Sequence, residues 1–197
     1  TTSPSVSPAG SAASGWLLRA CVKPVPAASS IFFRIAFGCI ATFWAIDYLA
    51  TGRAKFLYVD PQFHFTYYGF DWVQPWPGGL VYLHFGLMAV LGVCIAAGIS
   101  FRWTSAAFAA LFTYFFLMDR TNYQNHYYLI TLISWWLPFL PLASSFSVDS
   151  LSNRDEQSIG GATISSPTIP AWVLFVLRFH IAVPYFFGGI AKLNSDW

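Results

Sequence analysis

Five ionisable side chains punctuate a chain that otherwise carries little charge: Asp47, His84, Asp119, His126 and Lys192. Carboxylate, imidazole and amine together are the makings of proton-transfer chemistry, provided one surface gathers them. The runs "DRTNYQNHYY" and "YFFGGIAKLNSDW" add hydrogen-bonding or closely approachable positions at Asn125, Tyr185, Gly188 and Gly189. Taken singly, each ionisable residue reads as a snorkelling or capping group at a helix end. Taken together at one depth they read as the wall of a polar pocket. Arg34 and Arg178 stand apart from them and form a second polar layer, for which helix pinning or a structural ion is the plainer account.

What must position these groups follows from composition. The 197 residues are 56% hydrophobic, 20% aromatic and only 9% charged, whereas a soluble domain carries about 25% charge. The chain is therefore expected to be an integral membrane protein. Its net charge of +2 gives no reason to expect nucleic acid as a partner. Cys21, Cys39 and Cys94 lack metal-ligand spacing and read as small apolar residues, so no metal site is expected.

Five stretches approach the ~20 apolar residues that cross a bilayer: residues 30–50, 79–99, 103–118, 127–142 and 171–192. The expected fold is all-α, a polytopic bundle of about five transmembrane helices. Residues 1–14 read as a disordered tail and 15–197 as the membrane domain. The segment "GWLLRACVKPVP" reads either as a short helix lying on the membrane surface or as a plain basic flank. The 28-residue "TGRAKFLYVDPQFHFTYYGFDWVQPWPG" reads either as an aromatic belt at the headgroups or as a lid over a site. "SSFSVDSLSNRDEQSIGGATISSPTIP" is a polar connector.

Alternating spans bring Asp47, His84, Asp119, His126 and Lys192 to one side of the bundle. The opposite side holds Arg19, Lys23, Arg102 and Arg154 against Arg53, Lys55 and Arg120 here, which leans toward a cytoplasmic N-terminus. Pro184 predicts a kink below Lys192.

The stretches "PAASSIFFRIAFG", "MDRTNYQNHYYL", "FSVDS", "VLRFHI" and "FFGGIAKLNSDW" resemble, in order, the membrane part of the vitamin K-dependent gamma-carboxylase family. Its wider bacterial members are called HTTM proteins. The resemblance implies a bacterial inner-membrane enzyme that oxidises reduced vitamin K, a naphthohydroquinone, with O2. The strong base so made removes a γ proton from a glutamate of a protein substrate, and CO2 is then taken up. By the same resemblance Lys192 matches the base acting on the hydroquinone, and His126 a histidine of the carboxylation step. The remaining pocket residues, Asp47, His84, Asp119, Asn125, Tyr185, Gly188 and Gly189, would bind the quinone.

Two departures from that family stand out. Its eukaryotic members have paired lysines where this chain has Ala191 and Lys192, and the family pattern continues beyond Trp197 with further helices and a non-membrane domain. A second expectation therefore stands beside the first: a non-catalytic accessory or structural subunit of a larger membrane complex, binding lipid, quinone or pigment. A transporter is the third and weakest reading, since no internal repeat supports it.

Overall fold

In the computed structural model, residues 15, 18–151 and 167–193 are described. The expected N-terminal tail, most of the polar connector and residues 194–197 lie outside them. So does part of the expected surface helix, of which residues 18–22 are helical.

Apolar composition dictates helix here, because a chain in lipid must satisfy its backbone internally. The elements are α1 (Ala28–Ala50), α2 (Arg53–Tyr58), α3 (Leu80–Ala97), α4 (Phe101–Leu117), α5 (Asn125–Trp136) and α6 (Ala171–Ala191). Two three-residue strands, β1 (Pro24–Pro26) and β2 (Thr168–Pro170), pair antiparallel with Val25 opposite Ile169. This clasp ties the start of α1 to the start of α6 and is extended by Ala27 N–H to Pro167 O at 2.9 Å and Ala171 N–H to Lys23 O at 3.0 Å.

The all-α membrane-type fold is as expected, but the span count is three and not five. Among the described residues, only α1, α3 and α6 are long and apolar enough to cross a bilayer. At 17 and 12 residues, α4 and α5 reach only ~26 and ~18 Å at 1.5 Å per residue, short of a ~30 Å hydrocarbon core. For α5 the cause is local: Pro138 stops it, leaving only a 3₁₀ turn over Leu137–Phe139, since proline has no N–H to donate back to the preceding helical turn.

The tightest packing joins α1 to α3. A Cβ on Gly38 would meet Ala96 N and Gly92 O at 2.5 Å, and one on Gly92 would meet Thr42 Oγ1 at 2.5 Å. The two glycines let the backbones touch, as close membrane-helix pairs require. Thr42 Oγ1 donates to Gly38 O at 2.8 Å and lies 3.3 Å from Ala89 O, adding a polar stitch at the crossing. Around this pair an aromatic core gathers Trp44, Tyr48, Phe85, Phe112, Phe115 and Tyr127 at centroid separations of 4.5–6.2 Å.

The turn between α3 and α4 is held from a distance. Asp149 accepts from Ser100 N–H at 2.7 Å and Phe101 N–H at 2.9 Å, capping the free donors at the start of α4. Gly98 ends α3 at φ +68°, and a Cβ there would run into the Arg34 guanidinium.

Candidate functional site

The side chains anticipated at one end of the bundle do lie at the matching helix ends, distributed over several small sites. The aromatic loop organises them. It folds over the end of α4: Arg120 N–H donates to Phe65 O at 2.8 Å and Tyr114 Oη to Gln74 O at 2.8 Å. Trp76 stacks on Tyr114 with centroids 4.8 Å apart, and Tyr67 stacks on Phe116 at 5.5 Å. The loop is thus a packed cover on the bundle end.

Asp119 is the most firmly held of the group. Its Oδ1 accepts from Thr121 N–H at 2.8 Å and Thr121 Oγ1 at 2.7 Å, and its Oδ2 lies 3.1 Å from His64 Nδ1. Burial alone would raise this carboxyl, but those donors outweigh it and hold Asp119 below the ordinary carboxylate range. An ionised carboxylate only accepts, so His64 Nδ1 is the donor to Asp119 Oδ2. Asp119, Thr121 and Asn122 also line a cavity of ≈ 460 Å³ beneath Phe56, Phe63 and Phe65.

His64 was not singled out from the sequence, yet among the described residues it is the histidine paired with a carboxylate. "PQFHFTYY" reads as a run of interfacial aromatics, and the sole hint was a polar ring placed among them.

Asp47 pairs with Arg53 on the rim, and the Arg53 guanidinium lies 4.9 Å from the Tyr48 ring centre. His84 is buried on α3 and accepts at Nδ1 from Trp76 Nε1 at 3.2 Å. It faces a small apolar cleft with Leu80, Leu87 and Leu111.

His126 opens the last cavity of this level. An apolar space of ≈ 350 Å³ lies between α1, α4 and α5, walled by Phe37, Trp44, Phe108, Phe112 and Ile133, with His126 and Tyr127 at its polar edge. The His126 and Tyr127 rings meet edge to face at 4.5 Å. Tyr127 Oη in turn is 2.9 Å from Tyr48 Oη. Apolar walls with a few convergent polar groups are what a flat aromatic ligand requires.

A separate ≈ 550 Å³ groove runs between α5 and α6, lined by Asn125, Tyr128, His180, Pro184, Gly188 and Ala191 among others. His180 is satisfied on both ring nitrogens, accepting from Trp136 Nε1 at 2.9 Å and lying 2.8 Å from Val176 O. Lys192 caps α6 immediately after Ala191, its N–H donating to Gly189 O at 3.2 Å while Leu193 N–H donates to Ile190 O at 3.0 Å. Tyr185 and Gly189 are exposed on α6. Asn125 and His126, adjacent in the first turn of α5, therefore face two different spaces, and α5 is the partition between them.

The second layer is divided. Arg34 is fully buried and donates through Nη2 to Phe146 O, beside Asp149. Arg178 is exposed on α6. Among the described residues, no group of three or more histidine, cysteine or acidic side chains is placed to hold a metal.

A sequence model of the HTTM domain matches residues 22–197, which includes every residue of the sites just described. No solved structure matches this chain.

Proposed function

The chain belongs to the HTTM domain family, an integral membrane protein by its apolar spans, and from that premise we propose that it binds a reduced naphthoquinone of the vitamin K class in the cavity between α1, α4 and α5. The observation that carries this reading is the cavity itself. Its ≈ 350 Å³ of aromatic and aliphatic wall ends on one imidazole and one phenol, which fits a flat apolar ring with a polar oxygen at its edge. Phe37, Trp44, Phe108 and Phe112 would hold the ring, and His126 would meet that oxygen. An isoprenoid tail would run past Phe33 and Ile40 toward lipid.

In the family to which the resemblance points, the bound hydroquinone, with O2, supplies the base strength for γ-glutamyl carboxylation by CO2. By the resemblance Lys192 is the proposed base toward the quinol; α5 stands between it and the cavity, so that role needs the quinol to reach the α5–α6 groove. His126 is the proposed donor to the developing anion of a glutamate-containing protein substrate. The proposed setting is a bacterial inner membrane with the N-terminus in the cytoplasm.

The test is the full chain in lipid nanodiscs titrated with a naphthoquinone while tryptophan emission is followed. Trp44 lines the cavity, so quenching that is saturable and lost in Trp44→Phe supports the site. Given the reduced quinone, O2 and a glutamate peptide, epoxide should form in the wild type and disappear in Lys192→Ala. Quenching without epoxide in the wild type would instead favour a second reading, that of an accessory subunit binding quinone without turnover. The exposed Arg178 within the long apolar α6 favours that reading, since a charge on the outside of a span asks for a partner helix or a lipid headgroup.

A further inference from the structure

We propose that the clasp end of α6 is a binding site for one anionic phospholipid, its phosphate held by Arg19, Lys23 and Arg178 and its acyl chains laid along the outer face of α6. Arg178 is exposed seven residues after Ala171, which at 1.5 Å per residue sets it ~10 Å inside the span. A cation facing lipid at that depth is costly unless it reaches a partner or the interface. Among the described residues the ion pairs are Arg53 with Asp47 and His64 with Asp119, and neither gives Arg178 a carboxylate.

The fold directs where its guanidinium goes. Seven residues are about two helical turns, so Arg178 stands over Ala171 on one face, and long helical side chains lean toward the N-terminus. Ala171 N–H donates to Lys23 O at 3.0 Å, and the clasp pairs Pro24 with Pro170. Main-chain bonds therefore fix Lys23 beside the turn toward which Arg178 leans. Arg19 comes four residues before Lys23, within helical residues 18–22, and so falls on the same side. All three side chains are exposed. Asp149, the acidic residue at this end among those described, is already engaged by the Ser100 and Phe101 N–H groups.

Of the partners an exposed Arg178 admits, an anionic phospholipid fits in both charge and shape. One phosphate at the interface can meet three cations, whereas a carboxylate on a neighbouring helix would meet Arg178 and leave Arg19 and Lys23 unmatched. A second copy of α6 brings no carboxylate, since the helix contains none. A zwitterionic lipid carries an ammonium beside its phosphate and gains less from the cluster. The apolar half of the site is present as well. Leu18 and Val22 are exposed beside Arg19 and Lys23, and Phe175 and Phe179 are exposed on α6 near Arg178, their rings stacked at 6.2 Å. Acyl chains would lie against these groups. The site is independent of what fills the cavity between α1, α4 and α5.

The experiment releases the full chain from nanodiscs of mixed phosphatidylglycerol and phosphatidylcholine into a native mass spectrometer and counts the lipid retained. One phosphatidylglycerol should stay bound in preference to phosphatidylcholine. Each of Arg19→Gln, Lys23→Gln and Arg178→Gln should lower that preference by about fivefold, the worth of one basic side chain at an anionic surface. Arg102→Gln is the control: this arginine is exposed at the same end but belongs to the turn that Asp149 caps, and its loss should leave retention unchanged. Equal retention of the two lipids, or an equal fall in Arg102→Gln, overturns the site. Displacement of the lipid by inorganic phosphate would also overturn it, in favour of a soluble anion. A benzoylphenylalanine placed at Phe175 in native membranes should give an adduct of lipid mass; an adduct with a second polypeptide instead would hand this face of α6 to a partner helix.

Discussion

Replacing Gly38 with alanine tests how firmly the α1–α3 crossing sets the cavity. The new Cβ would sit 2.5 Å from both Ala96 N and Gly92 O and 2.8 Å from Ala96 Cα. All three are backbone atoms, so no side-chain rotation relieves the clash. Restoring ordinary contact near 3.4 Å needs α1 and α3 to part by about 0.9 Å, and overpacking of this kind costs about 1–3 kcal/mol. The stitch from Thr42 to Ala89 O, already 3.3 Å long, would break. Phe37, Ala41 and Trp44 ride on the same helix and wall the cavity, so their displacement widens it. The expected outcome in nanodiscs is a lower unfolding temperature together with red-shifted Trp44 emission and weaker quinone quenching, by about 5- to 150-fold if the whole cost falls on binding. Gly86→Ala is the matched control, since a Cβ there meets nothing within 4 Å. Equal stability and emission in Gly38→Ala and Gly86→Ala would refute the reasoning.

Three further outcomes follow from particular contacts. Tyr48→Phe or Tyr127→Phe should each cost about 1 kcal/mol by stranding the partner hydroxyl, while the double variant recovers part of that loss; a strictly additive double-mutant cycle in urea unfolding would exclude the hydroxyl pair. Asp149→Ala should cost about 0.5–2 kcal/mol by uncapping α4, read as a drop in unfolding midpoint that Asp149→Asn largely avoids. The folded-state Asp119 carboxyl lies below its unfolded value, so its stabilisation is present above the unfolded value of 3.8 and is lost as pH falls through the depressed one. Asp119→Ala should therefore flatten the acid limb of a stability–pH curve, and an unchanged limb would contradict that assignment.

The bundle end was legible because helix direction alternates: whatever the exact spans, Asp47, Asp119 and Lys192 fall near C-termini, and His84 and His126 near N-termini of their helices. The number of spans was not legible from apolar length alone. Residues 127–142 look continuous until Pro138 is given its helix-stopping weight, and Arg102, Thr104 and Ser105 occupy the first turns of α4. The partition of the site was hidden as well. Asn125 and His126 are neighbours in sequence, but successive residues on a helix point ~100° apart, so one serves the α5–α6 groove and the other the apolar cavity. His64 escaped notice because its role depends on a loop folding back onto Asp119, 55 residues later, and no local pattern marks such a contact. Arg34 and Phe146 are similar, their contact fixed by the connector after α5. The motif "FSVDS" was noticed as a resemblance, but its work as the cap of α4 needed the fold.

The central claim is that the cavity beside His126 takes a quinone ring. Its most direct test is photo-crosslinking of the full chain in nanodiscs with an azido-naphthoquinone, followed by peptide mapping. Labels are expected on α1, α4 and α5 at Phe37, Trp44, Phe112 or His126, competed away by unlabelled quinone. Labels confined to the outer face of α6, or labelling that unlabelled quinone does not displace, would contradict it.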